Sequence, residues 1–168
     1  GGERLTLTGA DGSPLQSLSY NDSSPWPGEP DGGGYSLVLI SPQSAPDHEL
    51  PQNWRASLNP GGDPGSSDAT LFTGDPATDL LDYALGDPGA IGIRVVDGVP
   101  VFEFPRVLGA DDVTVSVELS SDLVTWSAGE SEFLGQSERI GDTAVLQWSL
   151  ATEENSRQYA RIIVSLIP

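Results

Sequence analysis

The stretch that most restricts the fold runs from Tyr20 to Ile40. It leaves a strand-like segment, crosses Pro25-Trp26-Pro27, passes Asp31-Gly32-Gly33-Gly34 and enters the apolar run Tyr35 to Ile40. Pro25 and Pro27 fix φ on both sides of Trp26 and restrict the residues that precede them. An indole held this rigidly has few places to go except into the edge of a β-core. The glycines that follow permit positive φ or close backbone approach. A stiff corner, a glycine turn and a short apolar run together describe two β-strands joined at a plugged corner.

The rest of the chain repeats this grammar. Gly (20) and Pro (14) are frequent in the 168 residues, but strand-like runs separate them, so the composition reads as turn-rich all-β. Arg4 to Thr8 alternates apolar and polar with period two, as a half-buried strand should. Leu15 to Tyr20 is its return strand, with Leu18 and Tyr20 on one face. Ser36 to Ile40 reads as a central strand. Asn53 to Leu58 is a short extended segment between polar loops. Gly74 to Gly86 signals one short helix: Asp75 suits the N-cap, Pro76 the first helical position and Gly86 the residue after the last turn. Gly-Asp-Pro recurs at 62–64, 74–76 and 86–88, which reads as turn and cap chemistry because the intervening residues do not match. From Ile91 onward the pattern is again β. Asp97-Gly98 predicts a type I′ hairpin, and Pro100 in its return arm suggests an edge strand. Val113 to Ser120, Ala144 to Leu150 and Ala160 to Leu166 alternate cleanly, with Trp126 anchoring the intervening turn.

Net charge narrows the partners. Twenty-five acids against seven arginines and no lysine give −18. Such a surface repels phosphate backbones and anionic membranes, which argues against nucleic acid. No run has the length of an apolar membrane span, so membrane insertion is not expected. Without cysteine there is no disulfide framework or thiol chemistry; without lysine there is neither Schiff-base chemistry nor a Lys–Asn crosslink. A beginning at Gly1-Gly2-Glu3, without Met, reads as a fragment or a processed piece.

Four pieces in order resemble the bacterial form of the lamin-tail domain: Pro25-Trp26-Pro27, Asp31 to Leu37, Asn53 to Ser57 and Gly61 to Gly65. The likeness covers roughly residues 1–66. It implies an immunoglobulin-like β-sandwich used as an accessory module of secreted or surface proteins, without catalytic residues, in which Trp26, Asp31, Gly34, Trp54 and Gly65 are structural. The strands that normally open that domain do not precede Gly2-Glu3 here, so the likeness is to its later part. Leu80 to Gly86 and Glu118 to Trp126 are similar to a carboxy-terminal β-domain of large bacterial exported proteins. The expectation is therefore two small immunoglobulin-like sandwiches: 1–73 lamin-tail-like, 74–90 a helical linker, 91–168 a second sandwich.

No constellation for catalysis stands out. His48, the only histidine, lies in a loop between Asp47 and Glu49 and reads as an exposed loop residue. Gly-x-Ser-x-Gly is absent, and one histidine without cysteine disfavours zinc. Carboxylate pairs are plentiful, as 25 acids make them by chance. Calcium is the cation to consider, with Asp111 and Asp112 in one loop and Asp63 and Asp68 in another, although neither spacing matches a known calcium loop; no other cofactor is expected. Asp31 reads as a turn former. Trp26, Trp54, Trp126 and Trp148 read as core anchors, with a sugar-binding platform as the alternative. The functional expectation is a noncatalytic structural, adhesive or assembly region of a secreted or cell-surface bacterial protein, partnered by other modules or by copies of itself. A carbohydrate-binding accessory module of a hydrolase is the alternative.

Overall fold

A computed structural model describes residues 1–75, 79–128, 131–137, 139–151 and 157–167. Among the described residues it is all-β, with several small antiparallel sheets and one six-residue α-helix. The strands are β1 (Glu3–Thr8), β2 (Pro14–Tyr20), β3 (Leu37–Leu39), β4 (Trp54–Ala56), β5 (Gly92–Val96), β6 (Val99–Val107), β7 (Val113–Ser120), β8 (Ser131–Gln136), β9 (Thr143–Leu150) and β10 (Tyr159–Leu166); the helix α1 is Leu80–Leu85. The largest sheet runs β5-β6-β9-β8. Three pairs stand beside it: β1-β2, β3-β4 and β7-β10.

The core lies where β7-β10 and α1 meet one face of the large sheet. Phe102 and Phe104 of β6, Leu150 of β9, Val113, Val117 and Leu119 of β7 and Ala84 and Leu85 of α1 are buried together, with Trp148, Ala160, Ile162 and Val164 packed on them. The period-two alternation of β7 and β10 supplies this face directly. Their covering layer is narrower than four strands. Ile93 and Val95, which the register puts on the same face as Phe102, stay 59% and 69% exposed.

Asp97-Gly98 turns with φ of 52° and 83°, as a type I′ hairpin requires. Its return arm, however, is an interior strand and not an edge. Pro100 is tolerated because it pairs only with Val95 of β5, one residue before the β6–β9 register begins; Pro105 pairs only with Val145 of β9, beyond the end of β5. Each proline lies where a single neighbouring strand is present. The strand β8 has no counterpart in the sequence reading. Its alternation is broken by a bulge between Phe133 and Gly135.

The first 75 residues depart further from expectation. The Ser36–Ile40 run gives only three strand residues, paired with β4 alone, so it is a short peripheral strand and not a central one. The alternation of β1 is real, yet every residue of β1 is exposed. Trp26 is buried as the Pro/Trp corner predicts, at 8% exposure, with its ring 6.1 Å from that of Trp54. The helix is capped by Asp79, whose carboxylate accepts from the Leu81 N–H at 2.7 Å, and not by Asp75; Pro76 lies outside the described residues. Gly86 closes the helix as expected, with φ of 74°.

Phe104 is 1% exposed at the centre of this core, whereas Leu7 is 64% exposed. Phe104→Ala is expected to cost about 3–5 kcal/mol by urea denaturation, and Leu7→Ala less than about 0.5 kcal/mol.

Candidate functional site

The polar centre of the molecule is a buried guanidinium. Arg55 is the middle residue of β4 and is 1% exposed. Its Nε donates to Asp111 Oδ1 and its Nη2 to Asp111 Oδ2, both at 2.7 Å. Nη2 also donates to Asp68 Oδ1 at 2.6 Å, and Nη1 to Asp68 Oδ2 at 3.3 Å and to the Ala56 carbonyl at 3.0 Å. All five N–H donors of the planar fork are engaged. The two carboxylates come from distant places: Asp68 from the Gly/Pro-rich loop after β4, Asp111 from the turn between β6 and β7.

Adjacent contacts tighten the same junction. Asp68 Oδ2 accepts from the Leu58 N–H at 2.7 Å. Ser41 Oγ donates to the Asp111 carbonyl. Asp112 faces a different set: its Oδ2 accepts from the Phe72 N–H at 2.7 Å and its Oδ1 from the Tyr83 hydroxyl at 2.6 Å. That hydroxyl also lies 2.7 Å from the Thr70 carbonyl, and the Thr70 N–H donates to the Gly109 carbonyl at 2.8 Å. A second arginine, Arg106, is 7% exposed. Its Nη2 donates to the Ala110 carbonyl at 2.9 Å, while its Nε has no partner among the described residues.

The electrostatics follow from burial and pairing. Burial opposes the charge of Arg55, but its hydrogen bonds to Asp111 and Asp68 outweigh this and raise its pKa. The hydrogen bond from Arg55 holds Asp68 below the usual carboxylate range. Asp111 grips the same group, yet loss of hydration pushes it up against the pull of Arg55. Burial, then the bond to Asp112, raises Tyr83 to about 12. Burial lowers Arg106, with Asp111 opposing.

Above this network lies a cleft of about 880 Å³, lined by Ser36, Leu39, Ser41, Asp63, Asp68 and Asp111 among others. The sequence reading brought Asp63, Asp68, Asp111 and Asp112 forward as cation ligands. The structure does bring Asp68 and Asp111 together, but on a guanidinium that takes both oxygens of each. Asp112 is turned to Phe72 and Tyr83. Asp63 lies 3.2 Å from the Asn59 amide. Among the described residues no group of three or more His, Asp or Glu is placed to hold a metal ion. Arg55 itself was overlooked. Its signal was present: a cation between Trp54 and Ala56 in a short strand of a chain with so few cations, followed by isolated aspartates in glycine-rich loops.

The remaining residues fall as follows. His48 is half-buried and not exposed, with its ring 6.0 Å from that of Trp54 and Nδ1 against the Gln16 amide; it is not among the residues lining the cleft. Trp54 Nε1 donates to the His48 carbonyl at 3.0 Å. Trp148 packs on Phe133 at 5.2 Å. Trp126 is half-buried, as Trp54 and Trp148 are, and lies outside the main core cluster; the Arg161 guanidinium lies 4.2 Å from its ring centre. Asp31 closes its turn through the backbone, its N–H donating to the Gly28 carbonyl at 3.0 Å. Gly34, with φ of 81°, presents its carbonyl to the Gly61 N–H at 2.6 Å; Gly65 also has positive φ, at 84°.

No protein-family model matches the chain, and neither a curated protein nor a solved structure matches it.

Arg55→Met leaves two buried carboxylates without their cation and is expected to cost about 3–5 kcal/mol by urea denaturation. The pH dependence of Asp68 has a definite sign. Its folded pKa is depressed, so its contribution is complete above the unfolded value of about 4 and is lost as pH falls through the folded value. The stability difference between the wild type and Asp68→Asn is therefore expected to be largest near neutral pH and to shrink on acidification, measured by urea titrations from pH 7 downward.

Proposed function

We propose that this chain is a noncatalytic structural or assembly region of a secreted or cell-surface bacterial protein, joining other modules or copies of itself by strand addition. The observation that carries the reading is the β1-β2 hairpin. Among the described residues it is a sheet of two strands, β1 is exposed along its whole length, and Leu5 and Leu7 are 51% and 64% exposed. An open strand edge of this kind is a template for pairing with another chain. Under this reading the β5-β6-β9-β8 sheet and its β7-β10 cover form a small immunoglobulin-like sandwich, and the first 73 residues are the later part of a lamin-tail-like module. The resemblance of the Pro/Trp corner and the Asn53 to Ser57 segment to that domain supports the assignment to an exported protein.

The polar centre supports a structural role for the buried charges. The carboxylates of Asp68, Asp111 and Asp112 are occupied by Arg55, Tyr83 and backbone N–H groups. The serines that line the cleft have no imidazole beside them, since His48 lies outside the cleft lining, edge-on to Trp54.

Light scattering on the 168-residue chain over a hundredfold concentration range tests the assembly reading. Mass is expected to rise from that of one chain toward a multiple of it. A mass of 17.6 kDa at every concentration, with no binding to neighbouring modules of the same protein, would remove the basis for it.

A further inference from the structure

We infer that β1 is the assembly edge, and that two copies of this chain pair β1 to β1, antiparallel, about a two-fold axis at Thr6. The inference rests on the assembly reading above and adds the strand, the occupant and the register.

The strand is selected by comparing edges. The outer side of β2 is met by the 47–49 loop, where the Ser19 N–H donates to Glu49 Oε2 at 3.3 Å and the Gln16 amide contacts His48. The β8 edge is engaged by Ser24 Oγ, which donates to the Leu134 carbonyl at 2.6 Å. β3 has three residues, and β10 is half-buried along most of its length. β5 is exposed, but its middle residue is Arg94, which a two-fold pairing centred on the strand would set against its own copy; like charges directly opposite are destabilising. β1 offers six exposed residues, paired on one side only among the described residues.

The occupant is selected by charge. Copies of a −18 chain repel one another over most of their surface. Between residues 3 and 20 the only charges are Glu3, Arg4 and Asp11. This near-neutral hairpin is where a second copy is least repelled, whereas a cationic partner would be drawn to the acidic remainder.

The register is selected by the pleat. Leu5 pairs with Leu18 and Glu3 with Tyr20 on one face; Arg4 pairs with Ser19 and Thr6 with Ser17 on the other. An added strand keeps these faces only if residues of equal parity oppose each other. Every register centred on a residue does this; centring on Leu5 would set Glu3 against Leu7, whereas centring on Thr6 also opposes leucine to leucine. Leu5 then faces Leu7 of the second copy, twice by symmetry, Thr6 faces Thr6, and Arg4 faces Thr8, with no like charges opposed. The result is one four-stranded sheet, β2-β1-β1-β2, with a self-complementary interface.

The chain has no cysteine, so single-cysteine crosslinking reads the register directly. Opposed residues across an antiparallel pair lie about 4.5–5.5 Å apart at Cα, within disulfide reach. Thr6→Cys is expected to give a crosslinked dimer under mild oxidation. Leu5→Cys, whose copies would sit on a diagonal about 7–8 Å apart, is expected to crosslink poorly. In parallel, L5K/L7K, at exposed positions, is expected to weaken dimerisation about tenfold or more, and L5K/L7E to restore it, because each introduced lysine then faces an introduced glutamate. Thermal melts of each variant confirm that the fold is intact. Raised salt is expected to increase the dimer fraction by screening the −18 charge. A wild type that stays monomeric overturns this inference and self-assembly together. An oligomer that L5K/L7K leaves unchanged, or that Leu5→Cys crosslinks better than Thr6→Cys, overturns the strand or register and leaves the assembly reading standing.

Discussion

The fold depends on one guanidinium. Arg55 binds a carboxylate from the loop that follows its own strand and another from a turn 56 residues further along. Without that junction the short β3-β4 pair, with three residues in each strand, has too little ladder to hold its position. The neighbouring bonds from Ser41, Phe72 and Tyr83 to Asp111 and Asp112 share the same turn. The β6–β7 turn is therefore the point where the first 75 residues, α1 and the large sheet are all fastened.

Arginine suits this position and lysine would not. A buried cation is costly unless every donor is matched. The flat fork meets Asp111 side-on through Nε and Nη2, meets Asp68 with its adjoining Nη1/Nη2 edge, and gives its remaining Nη1 hydrogen to the Ala56 carbonyl. A lysine would offer one point charge to the same ring of acceptors. Nearby Arg106 is held less well, with its Nε unmatched and its pKa lowered by burial. The proximity of Asp111 to both arginines compensates part of that cost.

The sequence was informative where local chemistry decides the outcome. The Asp97-Gly98 hairpin, the alternation of β7, β9 and β10, the burial of Trp26 and the Gly86 helix stop each follow from a few adjacent residues. It was uninformative where distant segments decide. Whether Asp68 and Asp111 receive a metal or an arginine depends on what the chain folds beside them, and turn-forming aspartates look alike in either case. β8 was hidden by its bulge, which breaks the period-two signal. β1 alternates as a half-buried strand would, but alternation reports only that one face is apolar, not that anything covers it. Pro100 misled for a related reason: a missing N–H is harmless wherever the neighbouring strand has already ended.

The β1-β2 hairpin is the element least explained by the chain alone. Two strands in water are marginal without a third strand or a helix beneath them. The rest of the protein reaches this pair through the half-buried Leu18 and Tyr20 and through the 47–49 loop on β2. That loop is itself anchored through His48, whose ring lies edge-on to Trp54 and whose carbonyl accepts from Trp54 Nε1, with Trp26 packed beyond. Support thus enters from the β2 side and fades toward β1, where Leu5 and Leu7 face water. A strand laid along β1 would add the missing ladder and cover both leucines from the side, so the uneven support of the hairpin and its near-neutral charge have the same physical resolution.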